Sequence, residues 1–557
     1  MYLKVIVLML VVVSLAAADS PWKTTGMAAE ITFSGEANIV RESADASISW
    51  VEGRFYLVPL DSNVQSPELL GHMPDDYRFE EDESGNRFVV FRWENPVADS
   101  LPYAIVWRVV VNSFGYKIGS LGTLGEYADD IKKYLEAGGL TFWSGYMKAK
   151  AESLVQGSES VLESARRLGN WVSSSLTYDR AYWEVTAPAQ EVFCHRRGVC
   201  DEFTNLFIAM ARSVGIPTRY AEGLVYSGEE WNYHAWAEVY SDGQWLPVDP
   251  TYNEAGFLDS THIALAKVMS DEDVYNRIKW AGVASKASFG EDEKFIEMET
   301  ESLDLLEISL TVPEKVVGSM IFEVDAKLTN TLDSYVVATC AINMPLEIVL
   351  VDEKEKSLIL GPKGEGRLSW EVASPGNLDK RWLHKMPIQI HCFPNGFANK
   401  SVTIDPRYSE DPVWRVMIVD LAVLNSSSSL VRVRNDGTDE VSKLTIKLCL
   451  ENGEERCESK VVEGFEPGGI ADVFFEVDAK EGDRITATVE SDELAAVSAE
   501  TVLTGLEEAT RGLEKPEVLL VLKPPKREAD DWVVIMMAIL ILSAILSAVA
   551  ASVIRKH

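Results

Sequence analysis

The segment from Gly198 to Thr251 leaves the chain the least freedom. Phe203, Leu206, Phe207, Met210, Ala211 and Val214 recur at i, i+3, i+4 and i+7 spacing, which predicts a helix over 201–214 with one buried face. Gly215 and then Pro217 stop that helix, as a C-terminal Gly followed by Pro should. Cys200 therefore sits at the helix start. Downstream, Trp231–Tyr240 and Gln244–Thr251 alternate as strands on either side of Asp242-Gly243, a hairpin turn pair. With a two-residue loop, Ser241 faces Gln244 and Trp236 faces Asp249. His234 then becomes the diagonal neighbour of Asp249 on the same face. A slip of one residue would send the two side chains to opposite faces.

The same residues carry the chemistry. A helix N-terminus offers unpaired N–H groups and the positive end of the dipole, an environment that favours a thiolate at Cys200 over a merely buried cysteine. A thiolate nucleophile needs a base, and the base needs a group to orient it. A lone histidine in a strand is usually structural, and a lone aspartate before proline usually a turn residue. One helix start and two paired strands that present Cys200, His234 and Asp249 together are harder to dismiss.

At this point the chain resembles the transglutaminase-like superfamily. The matching residues are Gly198-x-Cys200, Gly215-Ile216-Pro217-x-Arg219, Gly223, His234-Ala235-Trp236, Trp245-x-x-Val248-Asp249-Pro250-Thr251 and the later Asp259-x-x-His262. The resemblance covers roughly residues 125–290. It implies an α+β papain-like core with Cys200 as nucleophile, His234 as general base and then acid, and Asp249 fixing the imidazole. The superfamily includes crosslinking enzymes, deamidases, peptidases and inactive members, so the reaction stays open. Trp231, Tyr233 and Trp236, with Trp245, either line an acyl-substrate groove or pack in the core. Asp259 and His262 either support the site or cap a local turn. No cofactor is implied. Cys194-His195 with Cys200 has no second ligand pair at zinc spacing, so no metal is expected, and Cys194 is a regulatory or a buried thiol. Ser270-Asp-Glu-Asp273 reads as a capped helix start rather than a calcium loop.

The rest of the chain is β-rich. Ala37–Val40, Arg54–Val58, Phe88–Trp93 and Tyr103–Val111 predict a sandwich-like N-terminal domain. Tyr127–Glu136 and Ser158–Ser174 have helical spacing. Leu430–Gly437, Lys443–Leu450 and Asp472–Val477, with the turn Asn452-Gly453, predict an immunoglobulin-like sandwich, which resembles the adhesion-type modules of archaeal exported proteins. Cys340 with Cys392, and Cys449 with Cys457 across the Asn452-Gly453 hairpin, are candidate disulfides. Asn399-Lys-Ser401 and Asn425-Ser-Ser427 are sequons.

Both termini read as addresses. Lys4, an apolar run to Leu15 and Ala16-Ala17-Ala18 form a signal peptide whose apolar part is shorter than the ~20 residues a bilayer needs. Trp532–Ile554 carries no charge and is followed by Arg555-Lys556-His557, a single transmembrane helix with its stop. Lys523, Lys526 and Arg527 precede that helix and oppose this orientation by local charge, so the signal peptide decides it.

The expected plan is a signal peptide (1–18), an N-terminal β-rich domain (19–121), the transglutaminase-like catalytic core (122–295), a β-sandwich (296–408) and an immunoglobulin-like sandwich (409–505). A linker (506–531), the transmembrane helix (532–554) and a cytoplasmic tail (555–557) complete it. The net charge of −35 argues against a nucleic-acid partner. The expectation is a single-pass protein of the cell membrane with protein or peptide substrates at the cell surface. The alternative is an adhesion or scaffold protein using its core as a binding platform. Deleting residues 532–557 should release a soluble, secreted protein, as fractionation of cells and medium would reveal. Retention of the truncated form in the cytoplasm would show residues 1–18 to be no signal peptide.

Overall fold

The computed structural model describes residues 24–503 apart from 184–185, 270–275, 453 and 493. The expected signal peptide, linker, transmembrane helix and tail lie outside the described residues, as does the helix start at Ser270. Among the described residues no helix is long and apolar enough to cross a membrane.

Period-two burial builds the first sandwich. The strand Ser100–Asn112 buries every second residue from Leu101 to Val111. It lies in a sheet ordered Ser285–Glu301, Gly26–Arg41, Ser100–Asn112, Gln65–Met73, which faces a second sheet ordered Arg277–Val283, Ser47–Phe55, Arg87–Glu94, Tyr77–Glu81. Ile31, Phe33, Phe55, Phe91, Tyr103 and Ile105 from both sheets form one core.

Two of these strands correct the expected core boundary at 295. Arg277–Val283 pairs with Ser47–Phe55, and Ser285–Glu301 pairs with Gly26–Arg41, so both belong to the N-terminal sandwich. They add the outermost strand to one side of each sheet, a distant pairing that no local pattern announces. The core is thus inserted between two parts of the first sandwich.

Inside the insert, a five-stranded sheet runs Glu254–Ala255, Gln244–Asp249, Trp231–Ser241, Thr218–Tyr226, Ile263–Val268. The central helix, Cys200–Ser213, packs on it, with Gly145–Val155, Val161–Ser175 and Ala189–His195 around that helix. Helical spacing at 158–174 corresponds to Val161–Ser175, where the Ser160 hydroxyl accepts the Glu163 N–H at 3.2 Å. The spacing at 127–136 yields only the turn Asp129–Lys132 and a 3₁₀ turn, Lys133–Leu135.

The central helix was expected to bury one face. Every residue from Asp201 to Arg212 is buried, because sheet and helices enclose it. Polar residues on it therefore need partners inside. Arg212 donates to the Thr218 carbonyl (2.8 and 2.9 Å), Met269 O (2.8 Å), Glu136 O (3.1 Å) and Thr141 Oγ1 (3.0 Å), tying three loops to the helix end.

Two further pairs of sheets follow, spanning Leu306–Ser409 and Val416–Val502. Cys340 faces Cys392 on neighbouring strands of the first pair, and Cys449 faces Cys457 across the hairpin of the second; both pairs are disulfides. The apolar core of the insert is continuous with that of Leu306–Ser409. The last unit docks through apolar and polar contacts: Ala422, Leu424 and Leu430 join the same core, Lys150 meets Asp420 (2.5 Å), Arg432 the carbonyls of Ser174 (2.8 Å) and Ser175 (3.2 Å), and Tyr146 Ala479 O (3.2 Å). Asn399 is exposed. Asn425 is half-buried at this seam, with its amide 3.8 Å from the Cys194 sulfur.

Replacing Arg212 by Met takes the guanidinium from four acceptors, of which Thr218 O and Thr141 Oγ1 are buried. Calorimetry should show the core destabilised by about 3 kcal/mol or more. An unchanged transition would mean that the guanidinium does not hold these loops.

Candidate active site

The hairpin that positions the site turns at Asp242 (φ 45°) and Gly243 (φ 86°), both left-handed, which is the two-residue turn that follows strand twist. Its register runs from Ser241 opposite Gln244 to Ala237 opposite Val248, as the short loop requires. His234 and Asp249 accordingly share a face. His234 Nε2 lies 2.7 Å from Asp249 Oδ2, with His234 5% and Asp249 0% exposed. Nδ1 is the ring nitrogen this bond leaves for other work.

Asp249 is held from both sides. Its Oδ1 accepts the main-chain N–H groups of Thr251 (2.7 Å) and Tyr252 (3.1 Å), and its Oδ2 also meets His262 Nε2 at 3.0 Å. Burial alone would raise its pKa, but His234 and then His262 hold it far below the usual carboxylate range. For His262, burial opposes the charge, yet Asp259 and the bond to Asp249 lift its pKa well above the ordinary histidine value. Asp259 also closes a local turn by accepting from Thr261 N (2.9 Å) and Oγ1 (2.5 Å), so both readings of Asp259 and His262 hold.

Cys200 is the first residue of the central helix. A buried carboxylate shapes that start: Glu202 accepts the N–H of Val199 (2.8 Å) and of Ala187 (2.9 Å). A Cβ at Gly198 would collide with Glu202, which explains the glycine in Gly198-x-Cys200. One turn on, Thr204 Oγ1 donates to the carbonyl of Ala235 (3.1 Å), next to His234, so the helix is pinned to the histidine strand. Tyr220 Oη donates to Asp201 at 3.1 Å.

Two tyrosines that sequence reasoning missed complete the surroundings. The Tyr252 ring lies 5.2 Å from His234. Burial, with the charges of Asp249, Asp259 and then Cys200 among others, raises the Tyr252 pKa. Burial and then the Cys200 charge push Tyr178 to about 12. Tyr178 pairs with Gly198 in a two-residue parallel bridge and is 47% exposed. Neither has a periodic signal; only the chain's return to the helix start brings them in.

Of the two readings of the strand aromatics, packing is the one their contacts favour. Trp236 is 2% exposed, wedged between His234 (6.2 Å) and His262 (5.4 Å), so it cannot line an open groove. Trp231 and Tyr233 pack against the first sandwich, with Lys294 over the Tyr233 ring at 4.7 Å. Trp245 lies against Tyr134 and under Arg219. Trp231 and Tyr233 are thus taken up by the sandwich, and Trp236 and Trp245 by neighbours within the insert. Cys194 faces the Leu424 carbonyl at 3.6 Å in the last unit. Among the described residues three groups bring ligand atoms within 4.8 Å: His234, Asp249 and His262; Glu254, Asp259 and His262; and Cys449, Glu455 and Cys457. In the first, Asp249 Oδ2 already contacts both imidazoles; in the second, His262 pairs with Asp259; in the third, the two cysteines form a disulfide.

Residues 148–250 match the family model of the transglutaminase-like superfamily, so the chain carries a domain of that type. An uncharacterized protein of Mycobacterium leprae is 32% identical over 89 residues, 14% of this chain and 32% of that protein. The peptide-N(4)-(N-acetyl-beta-glucosaminyl)asparagine amidase of Gallus gallus is 30% identical over 111 residues, 20% of this chain and 16% of that enzyme. The chain thus spans a third or less of either relative. A solved structure described as a candidate cysteine protease from Cytophaga hutchinsonii is 20% identical, with a TM-score of 0.38 over 50% of this chain and 92% of that one.

The two shifted groups predict a stability profile. Asp249, depressed in the fold, contributes stability that is complete above about pH 4 and is lost as the pH falls through its folded value. His262, raised in the fold, contributes stability that is complete below about pH 6.5 and is lost as the pH rises through its folded value. Melting temperature should therefore decline on the alkaline side above about pH 6.5, and His262→Gln should flatten that limb. Parallel native and variant curves would refute the charged His262.

Proposed function

We propose that the protein is a membrane-anchored, extracytoplasmic thiol enzyme that transfers acyl groups from amide substrates through Cys200, His234 and Asp249. The observation that carries this reading is the buried 2.7 Å bond between His234 Nε2 and Asp249, made beside a helix that begins with Cys200. In the proposed sequence the Cys200 thiolate attacks the amide carbonyl carbon. The imidazolium of His234 protonates the departing nitrogen, the C–N bond breaks, and a thioester remains. His234, now neutral, takes a proton from an incoming amine or water, which attacks the thioester and returns the thiolate–imidazolium pair. An amine gives crosslinking; water gives deamidation or peptide hydrolysis. Asp249 keeps the imidazole in place and stabilises its charge without itself accepting the proton.

The name of the chicken relative, an amidase, supports an amide as the bond attacked. The two disulfides suit an oxidising compartment, which agrees with the signal peptide and the terminal anchor read from the sequence. Tethering would place the site beside protein or peptide substrates at the cell surface.

A thiol-directed activity probe on native protein and on Cys200→Ala tests the reading. Labelling should begin well below the free-cysteine range near pH 8.5, vanish in Cys200→Ala and move upward in pH in His234→Ala. If native Cys200 reacts like an ordinary thiol and is indifferent to His234, the core is a binding platform and the scaffold reading replaces this one.

A further inference from the structure

The proposed chemistry uses one of Asp249's two imidazole partners and leaves His262 unexplained. Every group at hydrogen-bond distance from the His262 ring nitrogens is an acceptor. Nε2 meets Asp249 Oδ2 at 3.0 Å; Nδ1 meets the Asp259 carbonyl at 3.2 Å and Asp259 Oδ2 at 2.9 Å. A neutral imidazole has one N–H and one bare nitrogen, and a bare nitrogen here would set lone pair against lone pair. Both nitrogens therefore carry protons. His262 is an imidazolium, 5% exposed, between two carboxylates.

Its other neighbours leave that charge in place. Glu254 accepts the Asp259 N–H at 2.9 Å and adds negative charge. The rings of His234 (5.5 Å), Trp236 (5.4 Å) and Tyr252 (6.0 Å) enclose it. Across a small cavity, where Gln65 enters from the first sandwich, lie Tyr116, Glu238 and Lys267. Glu238 is paired with Arg219 (2.6 Å) and Lys267 (2.8 Å), so this side presents a balanced set of charges.

We propose that His262 is a positioning residue: held as a cation between Asp259 and Asp249, it fixes the Asp249 carboxylate for His234 and withdraws part of its charge, setting the pH window in which the Cys200–His234 pair works. The proposal rests on the acyl-transfer reading of that pair. The sign follows from charge. A cation at Asp249 weakens the pull of that carboxylate on a protonated His234, so removing the cation favours the imidazolium and delays loss of its proton. Asp259 acts one step further out, because without its charge His262 gives up its proton sooner.

The test is the pH dependence of Cys200 alkylation by iodoacetamide in the full chain, compared among native protein, His262→Gln and Asp259→Asn, with melting temperature measured alongside. His262→Gln keeps an N–H for Asp249 but removes the charge. The alkaline step of the profile should move up by about one pH unit in His262→Gln and in the same direction, by less, in Asp259→Asn. Asp259→Asn serves alone where the histidine variant does not fold. Variants that lose stability while keeping the native pH profile would reduce His262 to a structural residue and overturn the proposal. A native profile with no step dependent on His234 would instead overturn the acyl-transfer reading, and this proposal with it.

Discussion

The site depends on a parity set by two residues, Asp242 and Gly243. Both adopt left-handed backbone, and glycine takes that conformation at no steric cost. With the turn fixed at two residues, Ser241 must face Gln244, and every side chain on the two strands has its side of the sheet decided. His234, Trp236 and Asp249 come to one face, while Ala235, Ala237 and Val239 are left to the central helix. One extra residue in the loop would send the Asp249 carboxylate to the face opposite the imidazole. The position of the candidate chemistry is therefore a matter of counting before it is one of contacts.

Around that parity the molecule arranges buried acids, each with definite partners. Glu202 receives two main-chain N–H groups at the helix start, Asp249 two main-chain N–H groups and two imidazoles, and Glu238 an arginine and a lysine. A buried carboxylate without such partners would be neutral or would destabilise the fold. With them it becomes a rigid post, because moving any partner exposes a charge in a low-dielectric interior. Glu202 orients the first turn on which Cys200 stands, and Asp249 orients the ring on the facing strand.

What the sequence revealed follows the range of the signal. Helical spacing from Phe203 to Val214 and the Asp242-Gly243 turn are local, so the helix, the hairpin, its register and the His234–Asp249 pairing could all be read in advance. The cysteine pairs were legible because each stands in facing strands of its own sheet. Trp231 and Tyr233 left groove and core packing open for the converse reason. Their alternation identified a strand face but not what would cover it, and the cover is a domain made of residues far away in the chain. Tyr178 and Tyr252 sit in segments with no period, and Gly145–Val155 buries only Gly145, Met147 and Ala151, too narrow a stripe to stand out. The boundary at 295 failed because strand partners across an insertion leave no mark in local composition.

That insertion has a consequence for how the chain is assembled. Gly26–Arg41 and Ser47–Phe55 are synthesised early, but the strands that cover their outer edges, Ser285–Glu301 and Arg277–Val283, come only after the whole insert has been made. Closing an unstructured loop of roughly 160 residues costs about 2.5 kcal/mol more than closing one of about ten, and the two open edges wait meanwhile as templates for foreign strands. A folded insert brings its own ends together, shortening the effective loop before the sandwich is sealed. Closure thus favours an order of folding opposite to the order of translation, in which the middle of the polypeptide organises first and its beginning is completed last.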